Sequence, residues 1–435
     1  MAKRHVLQVG DWESIFGRLQ ELVLANSGED EFQEIFKILV AKLYDESHYP
    51  KNRVFRVYPT PTETSRVINK LIAEAANQWK GIIQERPISR LRDEHLTICV
   101  QEITEIEVLD SNVEVLDNLF EHLVSQSAKG SKGQYFTPRH VIDCCIRIVD
   151  PKPTDTILDP ACGSAGFLFH AFDYVRKQTP NLKVSEYCRK NLWGCDFDLK
   201  AIQVAKALTL ITGSEQANIF RLNSLLTPLS NRALLCSDSQ SNEPNITIED
   251  LARLHLKNFK GFDIIMTNPP FAGEIRESNI INAYELASGR ERIERDVLFL
   301  ERCVQLLRPG GKLCIVLPHN KFGSKQWERL RHWLLRHMCV VSVLGLGRNT
   351  FLPHTHQKTS ILFGIKRSKI LLNYEVLDED ILFLISERDG KDSKGKIITR
   401  LDANPEDSLW TRSDHDLDQL SDSFKKFTLS NKVSW

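Results

Sequence analysis

From about residue 140 to 366 the chain alternates short apolar runs with longer segments whose apolar residues recur every three to four positions. The first kind predicts strands and the second amphipathic helices. Their alternation predicts a doubly wound, Rossmann-like α/β sheet. The expected strands are Thr156-Ile157-Leu158, Leu192 to Asp198, Asn218 to Leu226, Phe262 to Thr267, Lys312 to Pro318, Val340 to Leu346 and Thr359 to Ile365. Helices are expected over 141–148, 201–210, 297–307 and 327–337, the first capped by Thr137 with Pro138 at its first position.

Upstream, Phe32, Ile35, Phe36, Leu39, Val40 and Leu43 follow the helical period, as do Val67, Ile68, Leu71, Ile72 and Ala75. A helical domain is therefore expected over 1–128. Ser125 to Gly133, small, polar and glycine-bearing, marks the boundary. The α/β domain is expected over 129–370. Within it Gly273 to Arg295, polar and charged with no clear apolar face, reads as an exposed excursion. From 371 to 435 the chain turns polar, which predicts an extension without a further globular domain.

The composition is that of a globular protein, with 42% hydrophobic and 26% charged residues. Lys plus Arg equals Asp plus Glu at 57 each, so no global field favours nucleic acid and any basic surface must be local. No apolar stretch is long enough to span a membrane, and the first residues lack the apolar core of a signal peptide. The ten cysteines form no CxxC pair, and several lie in apolar runs where a packed thiol is expected. These features predict a reduced, cytoplasmic protein without a structural metal.

The chemistry is expected at the ends of the strands. Phe262 to Thr267 stops abruptly at Asn268-Pro269-Pro270-Phe271, because prolines cannot continue a ladder. One amide, one carbonyl freed from the ladder and one flat ring would then face a single crevice. The first strand runs into Asp159-Pro160-Ala161-Cys162-Gly163-Ser164-Ala165-Gly166, a turn whose glycines allow close backbone approach to a ligand. An acid ahead of the glycines suits a ligand with a cationic amino end better than a pyrophosphate. Asp196 stands at the tip of the second strand, where a carboxylate can accept both ribose hydroxyls, while Asp198 sits where a helix cap belongs. Asn223 stands at the third strand tip. Gln134-Tyr135-Phe136-Thr137-Pro138-Arg139 leads into the first helix.

Together these segments resemble the S-adenosylmethionine-dependent adenine-N6 DNA methyltransferases, and closely the modification subunits of type I restriction-modification systems. Gly133 to Arg139, Asp159 to Phe167 and Asn268 to Phe271 stand in that family's order and spacing, and Leu307 to Gly311 and Thr350-Phe351-Leu352-Pro353 resemble its pattern. The resemblance implies a methyltransferase sheet in which Gln134, Tyr135, Phe136, Thr137, Pro138 and Arg139, with Gly163, Ser164, Ala165 and Gly166, line the methionine part of S-adenosylmethionine. Asp159 would lie near its amino group, Asp196 on the ribose hydroxyls and Asn223 at the adenine.

It further implies that Asn268, Pro269, Pro270 and Phe271 are catalytic. The Asn268 side chain and the Pro269 carbonyl would hold the target amine, and Phe271 would stack on an adenine flipped out of duplex DNA. No covalent cysteine is required, so Cys162 and Cys195 are read as packing. The implied partners are duplex DNA, a specificity subunit that reads the target and a restriction subunit, with two modification subunits per complex and no membrane. The chain stops sooner after its last strand than many relatives, which predicts shortened carboxyl-terminal docking helices. Two other readings of the same loop remain at this point: methyl transfer to protein glutamine or RNA, and a non-catalytic subunit that binds DNA or cofactor.

Overall fold

The computed structural model describes residues 15, 17–21, 28–83, 86–109, 136–211, 217–228, 246–372, 379–404, 407, 409–433 and 435. The chain divides into two compact units, Met1–Gly130 with Gln203–Glu215, and Ser131–Ile202 with Gln216–Trp435.

The first unit contains helices α1 (Glu31–His48), α2 (Pro61–Gln78) and α3 (Asp93–Thr104). Helix α1 is buried nearly all round. Beside Phe32, Ile35, Phe36, Leu39 and Val40 it also buries Glu34, Lys37, Lys42, Asp45 and Glu46. Buried charges persist only when bonded. Lys37 pairs with Glu34 at 2.5 Å, Lys42 donates to the Thr104 carbonyl at 2.8 Å, and Asp45 accepts the Val54 and Phe55 amides at 2.7 and 3.0 Å.

The second unit is built on an eight-stranded sheet. Its strands, with one two-stranded ribbon, are β1 (Ile157–Asp159), β2 (Leu192–Asp196), β3 (Asn218–Arg221), β4 (Phe262–Thr267), β5 (Glu274–Ile275), β6 (Ile293–Glu294), β7 (Leu307–Pro318), β8 (Met338–Gly345), β9 (Thr359–Lys366) and β10 (Leu382–Ile385). The order is β10-β8-β9-β7-β4-β1-β2-β3, with β5 and β6 pairing separately. Strands β3, β2, β1, β4 and β7 run parallel, and β9 lies antiparallel between β7 and β8. The connections reverse direction at β1, which has β2 on one side and β4 on the other. Open α/β sheets place their binding crevice at the carboxyl ends of strands flanking such a point.

Strand β1 is buried throughout and β4 nearly so, as an apolar run with no polar alternation requires. Phe262 packs edge-on against Trp193 of β2 at 5.7 Å, and both are fully buried. Burying a side chain of that size stabilises the fold by about 1.5–3 kcal/mol, so the two strands that carry the site are anchored to a rigid core.

The helix after Phe136 is α4 (Arg139–Val149). Pro138, not Thr137, stands at its N-cap, and no side chain caps it. With ψ at 141° Pro138 stays outside the helix while its carbonyl accepts the Val141 and Ile142 amides. Downstream lie α5 (Gly166–Gln178), α6 (Val184–Asn191), α7 (Leu199–Ile211), α8 (Ile248–His255), α9 (Arg295–Leu306), α10 (Glu328–His337) and α11 (Leu417–Ser430).

The segment expected as an exposed excursion after Gly273 is largely packed. Ile275, Ile280, Ile281, Tyr284, Leu286, Ala287 and Ile293 are buried and join the core that includes Val297, Leu300 and Trp327. Their spacing follows neither strand nor helix, because the segment folds as a ribbon and short turns. At the far end, the segment expected as a polar extension supplies β10 to the sheet edge and α11, whose Phe424 packs against Phe363 of β9.

Candidate active site

Four strand tips meet at the switch point. Asp159 ends β1 and is 2% exposed, with the Ala161 N–H donating to its Oδ1 at 3.0 Å. Burial raises its carboxyl to about 7, and the Asp196 carboxylate adds to the rise against the pull of the Thr267 hydroxyl and the Ala161 N–H. A carboxyl held this close to neutrality has a large electrostatic demand for a cation beside it. The following turn is left-handed at Gly163 (φ 52°) and at Ala165 (φ 69°), the N-cap of α5. A Cβ on Gly163 would meet no atom within 4 Å, so that backbone edge faces open space. Gly166 has no such freedom, since a Cβ there would stand 3.1 Å from Ile142 Cδ1.

The turn is fixed to the tip of β2. The Cys162 amide donates to the Cys195 carbonyl at 3.0 Å, and the Gly163 amide to Asp196 Oδ2 at 2.9 Å. Asp196 Oδ1 accepts the Asp198 amide at 2.9 Å. Burial raises this carboxyl as well, against the backbone donors of Asp198, Gly163 and Phe197. Asp198 caps the next helix, accepting the Ala201 amide at 2.8 Å, as its position after the strand predicts. Cys162 and Cys195 are buried, and burial pushes both thiols far above the range in which a thiolate forms. Asn223, beyond β3, closes a turn by accepting the Leu225 amide at 3.1 Å.

Asn268 follows β4, the neighbour of β1. Its Oδ1 is buried although the residue is half-buried, and Pro269 beside it is buried. Phe271 is half-buried, and its ring meets the ring of Phe351 edge-on, at 5.8 Å and 82°. The Asn-Pro-Pro-Phe and Thr-Phe-Leu-Pro segments, about eighty residues apart in the chain, are thus one side of one site.

Of the Gln134–Arg139 segment, Gln134 and Tyr135 lie outside the described residues. Phe136 and Thr137 are half-buried ahead of α4, and Pro138 is buried. Arg139 pairs with Asp143 at 2.9 Å and bonds the His170 ring, which ties it to α4 and α5.

Two further residues belong to the site. Phe197, between the two aspartates of the β2 tip, is 68% exposed with the Arg221 guanidinium 5.9 Å from its ring. A large ring held in solvent beside a carboxylate offers a stacking face, and an aromatic residue directly after a strand-ending acid is the signal that could have found it. Arg302, fully buried on α9, holds the Asn223 turn from below. It donates to the Ser224 and Leu226 carbonyls at 2.8 Å each and forks onto Glu249 with two bonds of 2.6 Å. A guanidinium inside an apolar helix stripe was its sequence signal.

The N-6 DNA methylase family model matches residues 111–430. The methylase subunit of the type I restriction enzyme EcoKI from Escherichia coli K12 is 26% identical over 328 residues, 69% of this chain and 56% of that protein. The StySPI methylase subunit of Salmonella potsdam is 27% identical over 286 residues, 64% of this chain and 49% of its own length. The chain thus spans about half the length of these relatives. Among solved structures, a type I restriction-modification methyltransferase subunit from Streptococcus thermophilus superimposes with a TM-score of 0.62 at 14% identity, over 97% of this chain and 94% of that one. The fold is that of these methyltransferase subunits, and, with the family model covering most of its length, the chain belongs to the N-6 DNA methylase family.

Proposed function

We propose that this protein transfers a methyl group from S-adenosylmethionine to the N6 amine of an adenine in duplex DNA, as the modification subunit of a type I restriction-modification complex. The observation that carries the reading is the adjacency of β1 and β4, which sets the Asp159–Gly166 turn beside the Asn268–Phe271 loop at one end of the sheet. A cofactor turn and an amine-holding loop then share one crevice.

The residues present fit S-adenosylmethionine. Asp159 is a buried carboxyl whose ionised form an α-ammonium beside it would stabilise. The open edge at Gly163 admits the backbone of the ligand, Asp196 is an acceptor for ribose hydroxyls, and the exposed ring of Phe197 offers a face for its adenine. Bound there, the cofactor supplies a methyl group on a sulfonium, electrophilic enough for a weak amine. The amine is weak because its lone pair is delocalised into the purine ring. The Asn268 Oδ1 and the Pro269 carbonyl would accept its two hydrogens, favour a pyramidal nitrogen and stabilise the positive charge that develops on it. Phe271 would stack on the flipped base and fix its angle.

The neutral charge balance of the chain supports a division of labour in which a specificity subunit reads the sequence and this chain performs the chemistry. The implied assembly holds two modification subunits, one specificity subunit and a restriction subunit. Among the described residues no helix is long and apolar enough to cross a membrane.

The test is transfer of labelled methyl to adenine-unmethylated genomic DNA by the full chain, alone and with its specificity partner. Label on adenine N6 supports the reading; label only on protein or RNA overturns it. Asn268→Ala should lose at least about 100-fold in turnover with cofactor affinity kept, since the Asn268 acceptor matters only once the amine is charged. Unchanged turnover would refute its role.

A further inference from the structure

We infer that the carboxyl-terminal residues 386–404 and 411–416 form a strap that positions the target-base pocket, with Asp389 and Lys391 as its positioning residues. The inference rests on the reading of Phe271 as the ring that stacks on the base.

The geometry begins at the loop from Gly347 to Pro353, whose Phe351 braces Phe271 edge-on. Within that loop the Leu352 amide donates to the Asn349 carbonyl and the Thr350 hydroxyl to the Gly347 carbonyl, at 3.0 Å each, and further bonds hold it from outside. Asp389 accepts the Asn349 amide at 2.9 Å and the Thr350 hydroxyl at 3.3 Å. Lys391 donates to the carbonyls of Thr350 and Leu352, at 3.0 and 2.8 Å, gripping the peptide on both sides of Phe351. The Asn349 side chain returns a bond to the Lys391 carbonyl at 3.3 Å. The fit leaves no slack. A Cβ at Gly347 would stand 1.3 Å from Asp389 Oδ1, and one at Gly395 would stand 2.8 Å from the Pro353 nitrogen.

The strap is itself anchored. Short antiparallel bridges join Asp389 to His415, Lys391 to Ile397 and Thr399 to Ser413. Asp416 accepts from the Ser386 hydroxyl at 2.6 Å and the Glu387 amide at 2.8 Å. The His415 ring stacks on buried His140 at 5.0 Å, one residue into the helix that follows Phe136–Pro138. A lysine bonded to two backbone carbonyls fixes the peptide it grips, because each carbonyl would otherwise turn towards water. The backbone that carries Phe351 therefore cannot swing away without breaking both bonds, and Phe271 keeps its brace.

The variants are Lys391→Met, which keeps the stem and loses the donors, Lys391→Arg, which restores donors, and Asp389→Asn, each in the full chain. Methyl transfer to adenine-unmethylated DNA is read as separate kcat and KM values, in parent and Phe271→Ala backgrounds. Cofactor affinity and amide exchange at Asn349–Leu352 are read alongside. Lys391→Met should lower kcat about 10- to 100-fold, leave cofactor affinity within about twofold and accelerate exchange in the loop, with Lys391→Arg recovering most of the turnover. Asp389→Asn should show a smaller loss of the same kind. In the Phe271→Ala background Lys391→Met should change kcat by less than about twofold, since the ring it acts through is gone.

An unchanged kcat, an equal loss in both backgrounds, or unaltered exchange in the loop would overturn the inference. If the parent chain transfers no methyl to DNA, the proposed activity fails. The exchange result then still decides whether the strap holds the loop.

Discussion

The carboxyl of Asp159 gives the cofactor site a titration signature that can be counted. In the ligand-free chain it ionises at about 7, chiefly because it is buried. An ammonium bound beside it favours the carboxylate and lowers that value by about 1–3. At about pH 6 roughly nine in ten ligand-free molecules carry the proton. Binding S-adenosylmethionine expels much or all of it, so about 0.4–0.9 protons should be released per cofactor bound, rising with the size of that shift. The α-amino group of the cofactor ionises near about 8, is already charged at that pH, and takes up almost none. By the same arithmetic, affinity should fall about three- to fivefold between about pH 7 and about pH 6.

Titration calorimetry in buffers of differing ionisation enthalpy counts these protons directly, and in Asp159→Asn the release should vanish. Intact binding with no proton release at about pH 6 would refute the placement of the cofactor amine beside Asp159. The sign for folding is opposite. A carboxyl raised on folding contributes stability that is fully present below its unfolded value of about 4 and is lost as the pH rises through about 7. The contribution of Asp159 to ligand-free stability should therefore decline over that window, while the stabilisation conferred by cofactor grows.

Two substitutions test the support of the site. Arg302→Met should cost about 3–5 kcal/mol in denaturant unfolding, because Glu249 and two carbonyls lose a buried partner; a loss below about 1 kcal/mol would show that the cluster relaxes. Gly163→Ala should cost only about 1–2 kcal/mol, the strain of a left-handed alanine with open space around its methyl, yet weaken S-adenosylmethionine at least about tenfold in the same calorimeter. Undiminished affinity there would place the cofactor away from the turn.

The strand tips were legible because their signals are local. An apolar run that ends in Asn268-Pro269-Pro270 can only be a strand meeting a rigid loop, and an acid followed by glycines can only be a strand meeting a turn. The structure puts those tips side by side, with Asp159, Asp196, Asn223 and Asn268 at the same end of neighbouring strands. The Thr137 cap failed by one residue, since Pro138 already holds extended backbone and its own carbonyl starts the helix. The packed excursion failed for another reason. Ile275, Ile280, Ile281, Tyr284 and Ile293 fall between charges at spacings set by the core they cover, not by a period of their own.

The carboxyl-terminal segment was illegible in a more instructive way. Ile381 to Ile385 is an apolar run like those of the other strands, but it is short, flanked by charges and set in a polar stretch, with Phe383 and Ile385 facing solvent. Asp389 and Lys391 look like any pair of surface charges in a polar stretch. Their partners are backbone groups and one hydroxyl some forty residues earlier, and backbone groups leave no trace in side-chain periodicity. Local pattern therefore finds the groups proposed to touch substrate, whereas the groups proposed to aim them are set by contacts between distant polar residues. It follows that substitutions at Asp389 or Lys391, ordinary surface changes by sequence, should act on turnover while most of their polar neighbours in the same stretch do not. Alanine at exposed Lys394 is the natural control, since its side chain takes no part in the grip on the Phe351 loop.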